Sequence, residues 1–182
     1  MIGSIRCAVN LLASASCRRP DRLGSGSLGV PAILVQFTEG SVFGVEGAAQ
    51  IIEFLRNGAR SYNAWVTIID HKGKPNPGPH DCSPTCIVLN SDSLTLDYRF
   101  DYYMYGQFMK FIRPGAVRVH SDELSRPLAN CAVRNLDGSI VLVVVNRGAQ
   151  PARFDVAWDN GHLSTEIRGH PVATYRWQGS SD

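Results

Sequence analysis

Glu39 has the sequence context of a functional carboxylate. It follows a short apolar and β-branched run, Ile33–Thr38, and directly precedes Gly40, so the pattern predicts a strand that ends in a turn. A carboxylate at the carboxyl end of a parallel strand faces the ligand side of an α/β barrel, where such groups transfer protons or attack carbon atoms. The alternative is that Glu39 only stabilises the amino terminus of the following helix.

Trp65 is the second candidate functional residue. It lies near the end of the next predicted strand, Tyr62–Ile69. An indole ring there can stack on a sugar ring and exclude water from it. The alternative is an ordinary aromatic side chain of the core. A carboxylate and an indole at neighbouring strand ends are together typical of barrels that cleave carbohydrates.

A helix is predicted between these two strands. The segment Val45–Ala59 places Ala48, Ile51, Ile52 and Leu55 at helical spacing, which is typical of an amphipathic helix. A strand–helix–strand unit of this length implies two parallel strands joined by a right-handed crossover.

A loop rich in Gly and Pro follows, from His71 to Pro84, because these residues interrupt every regular period. Asp70 and His71 could form an acid/base pair, but two polar loop residues are the favoured interpretation. Cys86–Asn90 and Leu94–Tyr98 then predict a short hairpin.

The next segment, Tyr102–Ile112, predicts a helix. Its residues Tyr102, Tyr103 and Tyr105 could form a platform for a sugar. Packing of the helix between a barrel part and a sandwich part of the protein is the favoured interpretation.

The rest of the chain predicts an antiparallel β-sandwich, because short strand candidates recur about every eight to twelve residues. The candidates are Ala116–His120, Ala129–Asn135, Ser139–Asn146, Ala152–Val156, Leu163–Ile167 and Val172–Trp177. Asp137-Gly138 predicts a hairpin turn between two of them. Trp177 is interpreted as filling the core or an edge of the sandwich, with carbohydrate binding as the alternative.

Length and composition bound the protein further. The chain has 182 residues, of which 44% are hydrophobic, so wholesale disorder is excluded. A complete (β/α)8 barrel needs roughly 250 residues and is nearly excluded. A net charge of +2 without long runs of one sign gives nucleic-acid binding little support. No window reaches about 18 apolar residues, which predicts no transmembrane helix.

The cysteines do not indicate a metal site. There are five of them, Cys7, Cys17, Cys82, Cys86 and Cys131, so they cannot all pair within one chain. Cys82 and Cys86 are the only close pair, and they lack the second pair of ligands that a structural zinc site needs. A loop disulfide or two free thiols is expected.

Residues 1–30 are an unpatterned leader, with no usable helical or strand period. The apolar run Ala8–Ala15 is short and is interrupted by Asn10, which makes a poor secretory signal. We expect disorder or a misplaced start of the reading frame here, with a signal peptide or lipid anchor as the alternative. The localisation is not predicted by this segment.

Four strings of residues occur in a specific order and spacing. They are Phe37-Thr38-Glu39-Gly40-Ser41, then Tyr62-Asn63-Ala64-Trp65 with Asn76-Pro77-Gly78-Pro79, and then the run from Tyr103 to Ala116, YMYGQFMKFIRPGA. Together they resemble the C-terminal part of glycoside hydrolase family 30, which includes lysosomal glucosylceramidases and β-1,6-glucanases. The similarity runs from about residue 31 to residue 178.

The resemblance implies a (β/α)8 barrel flanked by a β-sandwich, and hydrolysis that retains the anomeric configuration. It implies that Glu39 is the nucleophile at the end of barrel strand seven and that Trp65 lines the sugar site at the end of strand eight. Asn76 is implied as a weaker binding residue near the mouth. Residues 31–115 would be the last strands of an incomplete barrel, and residues 116–178 the sandwich.

The resemblance also implies a carbohydrate or glycolipid substrate and no metal or organic cofactor. Members of the family usually work outside the cytosol or in lysosomes.

The sequence departs from the family at the second catalytic carboxyl group. The family's acid/base glutamate lies in an Asn-Glu pair on barrel strand four, and this chain has no Asn-Glu dipeptide. Retaining hydrolysis needs two carboxyl groups about 5–5.5 Å apart. We therefore expect a truncated retaining glycosidase that is inactive alone. The alternative is a non-catalytic β-sandwich module that binds carbohydrate or supports another polypeptide.

Overall fold

The computed structural model describes residues 6–8, 33–37, 42–63, 67–75, 86–158 and 161–179. In chain order the elements are β1 (Arg6–Ala8), β2 (Ile33–Phe37), α1 (Val42–Arg56), β3 (Ile68–Asp70), β4 (Ile87–Asn90), β5 (Thr95–Tyr98), α2 (Phe100–Met109), β6 (Val117–Val119), β7 (Leu128–Arg134), β8 (Ser139–Asn146), β9 (Ala152–Trp158), β10 (Gly161–Ile167) and β11 (Val172–Gln178). Neither α1 nor α2 has the length and apolar character that a membrane-crossing helix needs.

Two sheets face each other as a β-sandwich, as the strand spacing predicts. One has the order β2-β11-β8-β7-β6, and the other has the order β1-β9-β10. Every neighbouring pair within both sheets is antiparallel. Their shared core includes Leu142 and Tyr175 from the first sheet and Phe154 and Ile167 from the second.

The outer face of the five-stranded sheet is also buried, because α1 and α2 cover it. Every residue of β8 is buried. Leu142 and Val144 point into the core between the sheets, whereas Val143 and Val145 point into a second core with the helices. Successive side chains on a strand alternate between its faces, so a continuous apolar run here marks a strand that is covered on both sides.

The predicted parallel pairing of the strands before and after α1 is wrong. Strand β2 instead lies at an edge of the five-stranded sheet and pairs antiparallel with β11, with Phe37 opposite Val172. Strand β3 lies in a different sheet. Backbone N–H and C=O groups of a strand need hydrogen-bond partners. Strand β11 supplies partners to one side of β2 over five residues. Local patterning predicts that a segment is a strand but not which strand it joins.

A third, small sheet has the order β3-β4-β5. Strands β3 and β4 are parallel, and β4 and β5 form the predicted antiparallel hairpin. Ile68, Ile87 and Tyr98 are register partners across the three strands, so their side chains share one face of the sheet. All four residues of β5 are exposed.

Candidate functional site

The three residues predicted to act on a sugar, Glu39, Trp65 and Asn76, lie outside the described residues. Each is flanked in sequence by described segments. Glu39 lies between β2 and α1, Trp65 lies between α1 and β3, and Asn76 follows Pro75. The contacts of these neighbouring elements therefore define what holds the candidate site.

The first turn of α1, which begins three residues after Glu39, packs closely on α2. Gly44 is buried, and a Cβ atom added to it would overlap the ring of Phe100, the first residue of α2. Only glycine allows this approach of the two helices. The first turn of α1 contains no acidic residue, so this helix terminus has no carboxylate of its own to complement its dipole.

An ion pair joins α1 to the end of β8. The guanidinium of Arg147 donates from Nε to Glu46 Oε1 at 3.0 Å, and its Nη2 donates to Glu46 Oε2. These contacts raise the pKa of Arg147, mainly through the hydrogen bond to Glu46. A two-point contact of this kind fixes orientation as well as distance.

A second contact holds the carboxyl end of α1. Arg56 donates from Nη1 to Ser121 Oγ at 3.1 Å and to the carbonyl of Asn130 at 3.2 Å. Its Nη2 donates to the carbonyl of Ser121 at 3.1 Å. Helix α1 is thus tied to the sandwich near both of its ends, and sequence periodicity gave no sign of either contact.

Aromatic side chains surround the segment that leads to Trp65. The ring of Tyr62 lies 6.0 Å from that of Phe54 and 6.2 Å from that of Tyr105. Burial raises the pKa of Tyr105, and the neighbouring Tyr62 adds to this. Tyr105 therefore packs against the segment that follows α1.

The loop that leads to Asn76 is organised by Asp70. Its carboxylate accepts hydrogen bonds from the backbone N–H groups of Lys72 at 2.9 Å and Lys74 at 2.6 Å. These bonds, that of Lys74 first, lower the pKa of Asp70. His71 Nδ1 accepts from the backbone N–H of Ser91 at 3.2 Å. These contacts are those of polar loop residues rather than of an acid/base pair.

The cysteines are ordinary thiols where the structure describes them. Cys86 and Cys131 are buried and free, and burial raises the pKa of both, that of Cys131 to about 11. Cys82 lies outside the described residues. Among the described residues, no three His, Cys, Asp or Glu side chains are grouped as a metal site requires.

Tyr98 and Tyr102 form an exposed aromatic pair. The sequence singled out Tyr102 as part of a possible sugar platform, but not Tyr98. Their ring centroids are 4.7 Å apart, and the ring of Tyr103 lies 5.3 Å from that of Tyr102. The two residues of the pair are 43% and 44% exposed. The signal in the sequence was available, because Leu96 and Tyr98 alternate with polar residues on one face of the hairpin.

Trp177 belongs to the core of the sandwich, as its favoured interpretation expected. It is buried between the two sheets, and its ring lies 6.4 Å from that of the partly buried Trp158 in an edge-to-face arrangement.

Comparison with known proteins shows which proteins this chain is similar to. Residues 115–175 match the family model of the glycosyl hydrolase family 30 beta sandwich domain. The chain is 30% identical to mouse lysosomal acid glucosylceramidase over 139 residues, which is 74% of this chain and 26% of that protein. The chain spans about a quarter of the length of the curated relatives it matches.

Solved structures show the same fold. SrfJ from Salmonella typhimurium matches with a TM-score of 0.71 and 22% identity, over 79% of this chain and 33% of that one. An endo-β-1,6-glucanase matches with a TM-score of 0.66 and 22% identity, over 74% of this chain and 31% of that one. The sandwich, the strings around it and these relatives together identify the chain as corresponding to the C-terminal part of glycosyl hydrolase family 30.

Proposed function

We propose that this chain carries the nucleophile side of a retaining β-glycosidase active site, with Glu39 as the nucleophile. The observation that carries the proposal is the string Thr38-Glu39-Gly40 between β2 and α1, in a chain similar to a lysosomal acid glucosylceramidase. The substrate is a β-glucoside, either a glycolipid or a β-1,6-glucan.

The chemistry follows from a carboxylate in this role. Glu39 attacks the anomeric carbon and forms a glycosyl ester, while a second carboxyl group protonates the leaving oxygen. That second group then removes a proton from water, which releases the sugar with its configuration retained. Trp65 stacks on the sugar ring, and the Asn76 amide binds a hydroxyl.

Helix α1 has a supporting role in this proposal. It begins three residues after Glu39 and is tied to the sandwich through Glu46 and Arg56. A rigid helix limits the positions that a nearby carboxylate can take, and precise placement of reacting groups contributes strongly to catalysis. The sandwich would thus act as the support on which the nucleophile is held.

Hydrolysis needs the second carboxyl group, and this sequence has no Asn-Glu pair to supply it. We expect the purified 182-residue chain to release no product from an aryl β-glucoside. Turnover that disappears in Glu39→Gln would show that the chain is complete as a catalyst.

A chimaera tests the nucleophile itself. Residues 31–178 replace the matching C-terminal part of the endo-β-1,6-glucanase, and hydrolysis of β-1,6-glucan is measured. Activity of the chimaera should fall at least about 1,000-fold in Glu39→Gln and stay unchanged in the control Glu53→Gln, an exposed carboxylate on α1. An active chimaera that tolerates Glu39→Gln would refute the assignment.

The alternative, a non-catalytic module that binds carbohydrate or supports another polypeptide, is supported by a different observation. The sandwich and its two helices form a three-layer unit with its own two cores. A chimaera that folds and binds glucan but never hydrolyses it would favour this alternative.

A further inference from the structure

We infer that Asn57 is a site of spontaneous deamidation in the folded protein, and that the product loosens the last turn of α1. The inference concerns a chemical modification and does not rest on the proposed function. The chain contains two Asn-Gly dipeptides, Asn57-Gly58 and Asn160-Gly161. Asn160 lies outside the described residues, so the inference concerns Asn57 alone.

The way in which α1 ends requires a glycine directly after Asn57. Gly58 has a φ of +90°, a left-handed conformation that glycine adopts at little cost. Its N–H donates to the carbonyl of Leu55 at 3.2 Å, and the N–H of Ala59 donates to the carbonyl of Phe54 at 2.9 Å. Two such bonds around a left-handed glycine commonly end an α-helix. The fold therefore keeps in place the residue that leaves the asparagine chemically vulnerable.

The peptide bond between Asn57 and Gly58 is open to solvent. Both residues are exposed. Among the described residues, no atom beyond the chain neighbours lies within 4 Å of the position that a Cβ on Gly58 would occupy. The backbone nitrogen of Gly58 thus lacks the side chain that shields it after most asparagines, and no packed segment takes the place of that side chain.

The reaction needs only these two residues and water. The backbone nitrogen of Gly58 loses its proton to a base and attacks Cγ of Asn57, and the side-chain nitrogen leaves as ammonia. The new N–Cγ bond closes a five-membered imide ring. Water opens this ring at Cγ to give aspartate, or at the backbone carbonyl carbon of residue 57 to give isoaspartate. In total, one water is consumed and one ammonia is released.

Two hydrogen bonds oppose the attack in the folded state. Asn57 Nδ2 donates to the carbonyl of Glu53 at 2.8 Å, in an exposed position, and the Gly58 N–H donates to the carbonyl of Leu55. Each such bond contributes little net free energy, and the ends of helices open locally at low cost. We therefore expect the folded protein to react more slowly than the unfolded chain, but still at a measurable rate.

The product places a negative charge where the helix disfavours one. The carboxyl end of a helix carries partial negative charge, and residue 57 follows Glu53 by four residues, a spacing at which like charges repel. The bond from Asn57 Nδ2 to the Glu53 carbonyl is lost with the amide. Because the preceding residue, Arg56, ties this turn to Ser121 of the sandwich, loosening the turn weakens that tie as well.

The test incubates the full chain at mildly alkaline pH. Deamidation is measured by peptide mapping with mass spectrometry and by labelling with an isoaspartyl methyltransferase. Two asparagines of the same chain are controls: Asn90 is exposed but precedes Ser91, and Asn135 is buried. The variant Asn57→Gln is a further control, because its longer side chain closes a ring far more slowly. A parallel incubation in urea gives the rate in the unfolded chain.

In the folded protein, Asn57 should react several-fold faster than Asn90, and Asn135 should react more slowly than either. The reaction at Asn57 should slow at mildly acidic pH, because the attacking nitrogen must first lose its proton, and it should accelerate in urea. The signal from this segment should disappear in Asn57→Gln. If Asn57 reacts no faster than Asn90 in the folded protein, the inference is overturned.

The effect on α1 is tested with Asn57→Asp, which carries the charge of the aspartate product. The matched control is Asn90→Asp, which adds the same charge in an exposed turn and keeps the side-chain oxygen that accepts from the N–H groups of Asp92 and Ser93. Asn57→Asp should lower the melting temperature by a few degrees at neutral pH, and less at a pH that protonates the new carboxylate. If Asn57→Asp melts no lower than Asn90→Asp, deamidation does not loosen the helix and this part of the inference fails.

Discussion

The single hydroxyl hydrogen of Thr174 on β11 is shared between two oxygen atoms of Gln107 on α2. Thr174 Oγ1 lies 3.0 Å from the backbone oxygen and 2.9 Å from the side-chain Oε1. Both residues are buried. This contact holds α2 against the outer face of the five-stranded sheet.

Replacing Thr174 with valine tests the strength of this contact. Valine keeps the shape of threonine but leaves two buried oxygen atoms of Gln107 without their donor, so the free energy of unfolding should fall by about 1–2 kcal/mol. Urea denaturation measures the change. The exposed Thr95→Val on β5 is the control and should change stability by less than about 0.5 kcal/mol. Equal losses in both variants would contradict a specific role for the buried hydroxyl.

Two glycines of α1 should respond in opposite directions to alanine. An added Cβ at Gly44 overlaps the Phe100 ring, whereas at Gly47 its nearest neighbour is Met104 Cε at 3.8 Å, an ordinary contact. Alanine in a helix is favoured over glycine by up to about 1 kcal/mol. Gly47→Ala should therefore raise the melting temperature. Gly44→Ala should lower it and should reduce the free energy of unfolding by about 1–3 kcal/mol.

A double variant identifies the cause of the loss at Gly44. If the loss comes from overlap with the ring, adding Phe100→Ala should make the effect of Gly44→Ala smaller than it is in the wild-type background. A loss of the same size in both backgrounds would show that the helices do not meet at this point.

Val143 distinguishes a three-layer structure from a sandwich with one solvent-facing side. In a simple sandwich its side chain would point to water, whereas here it lies in the core beneath the helices. Val143→Ala should therefore reduce the free energy of unfolding by about 2–3 kcal/mol. The control Val117→Ala removes a side chain that is 64% exposed and should have almost no effect. A loss at Val143 no larger than at Val117 would mean that the helices do not cover this face.

The carboxyl group of Asp137 should make the free energy of unfolding depend on pH in the acid range. Its carboxylate accepts from the Ser139 hydroxyl at 2.6 Å and the Ser139 N–H at 2.9 Å, and from Arg176 at 2.9 Å. These contacts, that of the Ser139 hydroxyl first, lower its pKa from the ordinary value of 3.8. A carboxyl group with a lower pKa in the folded state contributes stability above its unfolded pKa, and this stability is lost as the pH falls through the folded value.

Chemical denaturation between pH 6 and about pH 2.5 measures this contribution. The difference in the free energy of unfolding between wild type and Asp137→Asn should be constant above about pH 5. This difference should become smaller below about pH 4. A difference that stays constant across the whole range would show that Asp137 does not titrate differently in the two states.

Much of the fold was predictable from local patterns. Ser139–Asn146 was predicted with its observed bounds, and Asp137-Gly138 marks the turn before it, where Gly138 adopts a φ of +79°. The strings around Glu39 and Trp65 identified the family resemblance, which the sandwich match at residues 115–175 supports. These signals are local because turn chemistry and side-chain periodicity act over a few neighbouring residues.

The partners of these elements were decided only by the tertiary structure. Contacts between residues far apart in the chain decided three features. Leu142 and Val143 lie in two different cores, and β2 pairs with β11. The side chains of Glu46 and Arg56 tie α1 to the sandwich. The exposure of Tyr98 and Tyr102 belongs with them, since a tyrosine can serve a core or a surface equally well. Sequence determines the preferences of each segment, but which faces are covered depends on how distant segments share the burial of apolar area and the pairing of backbone groups.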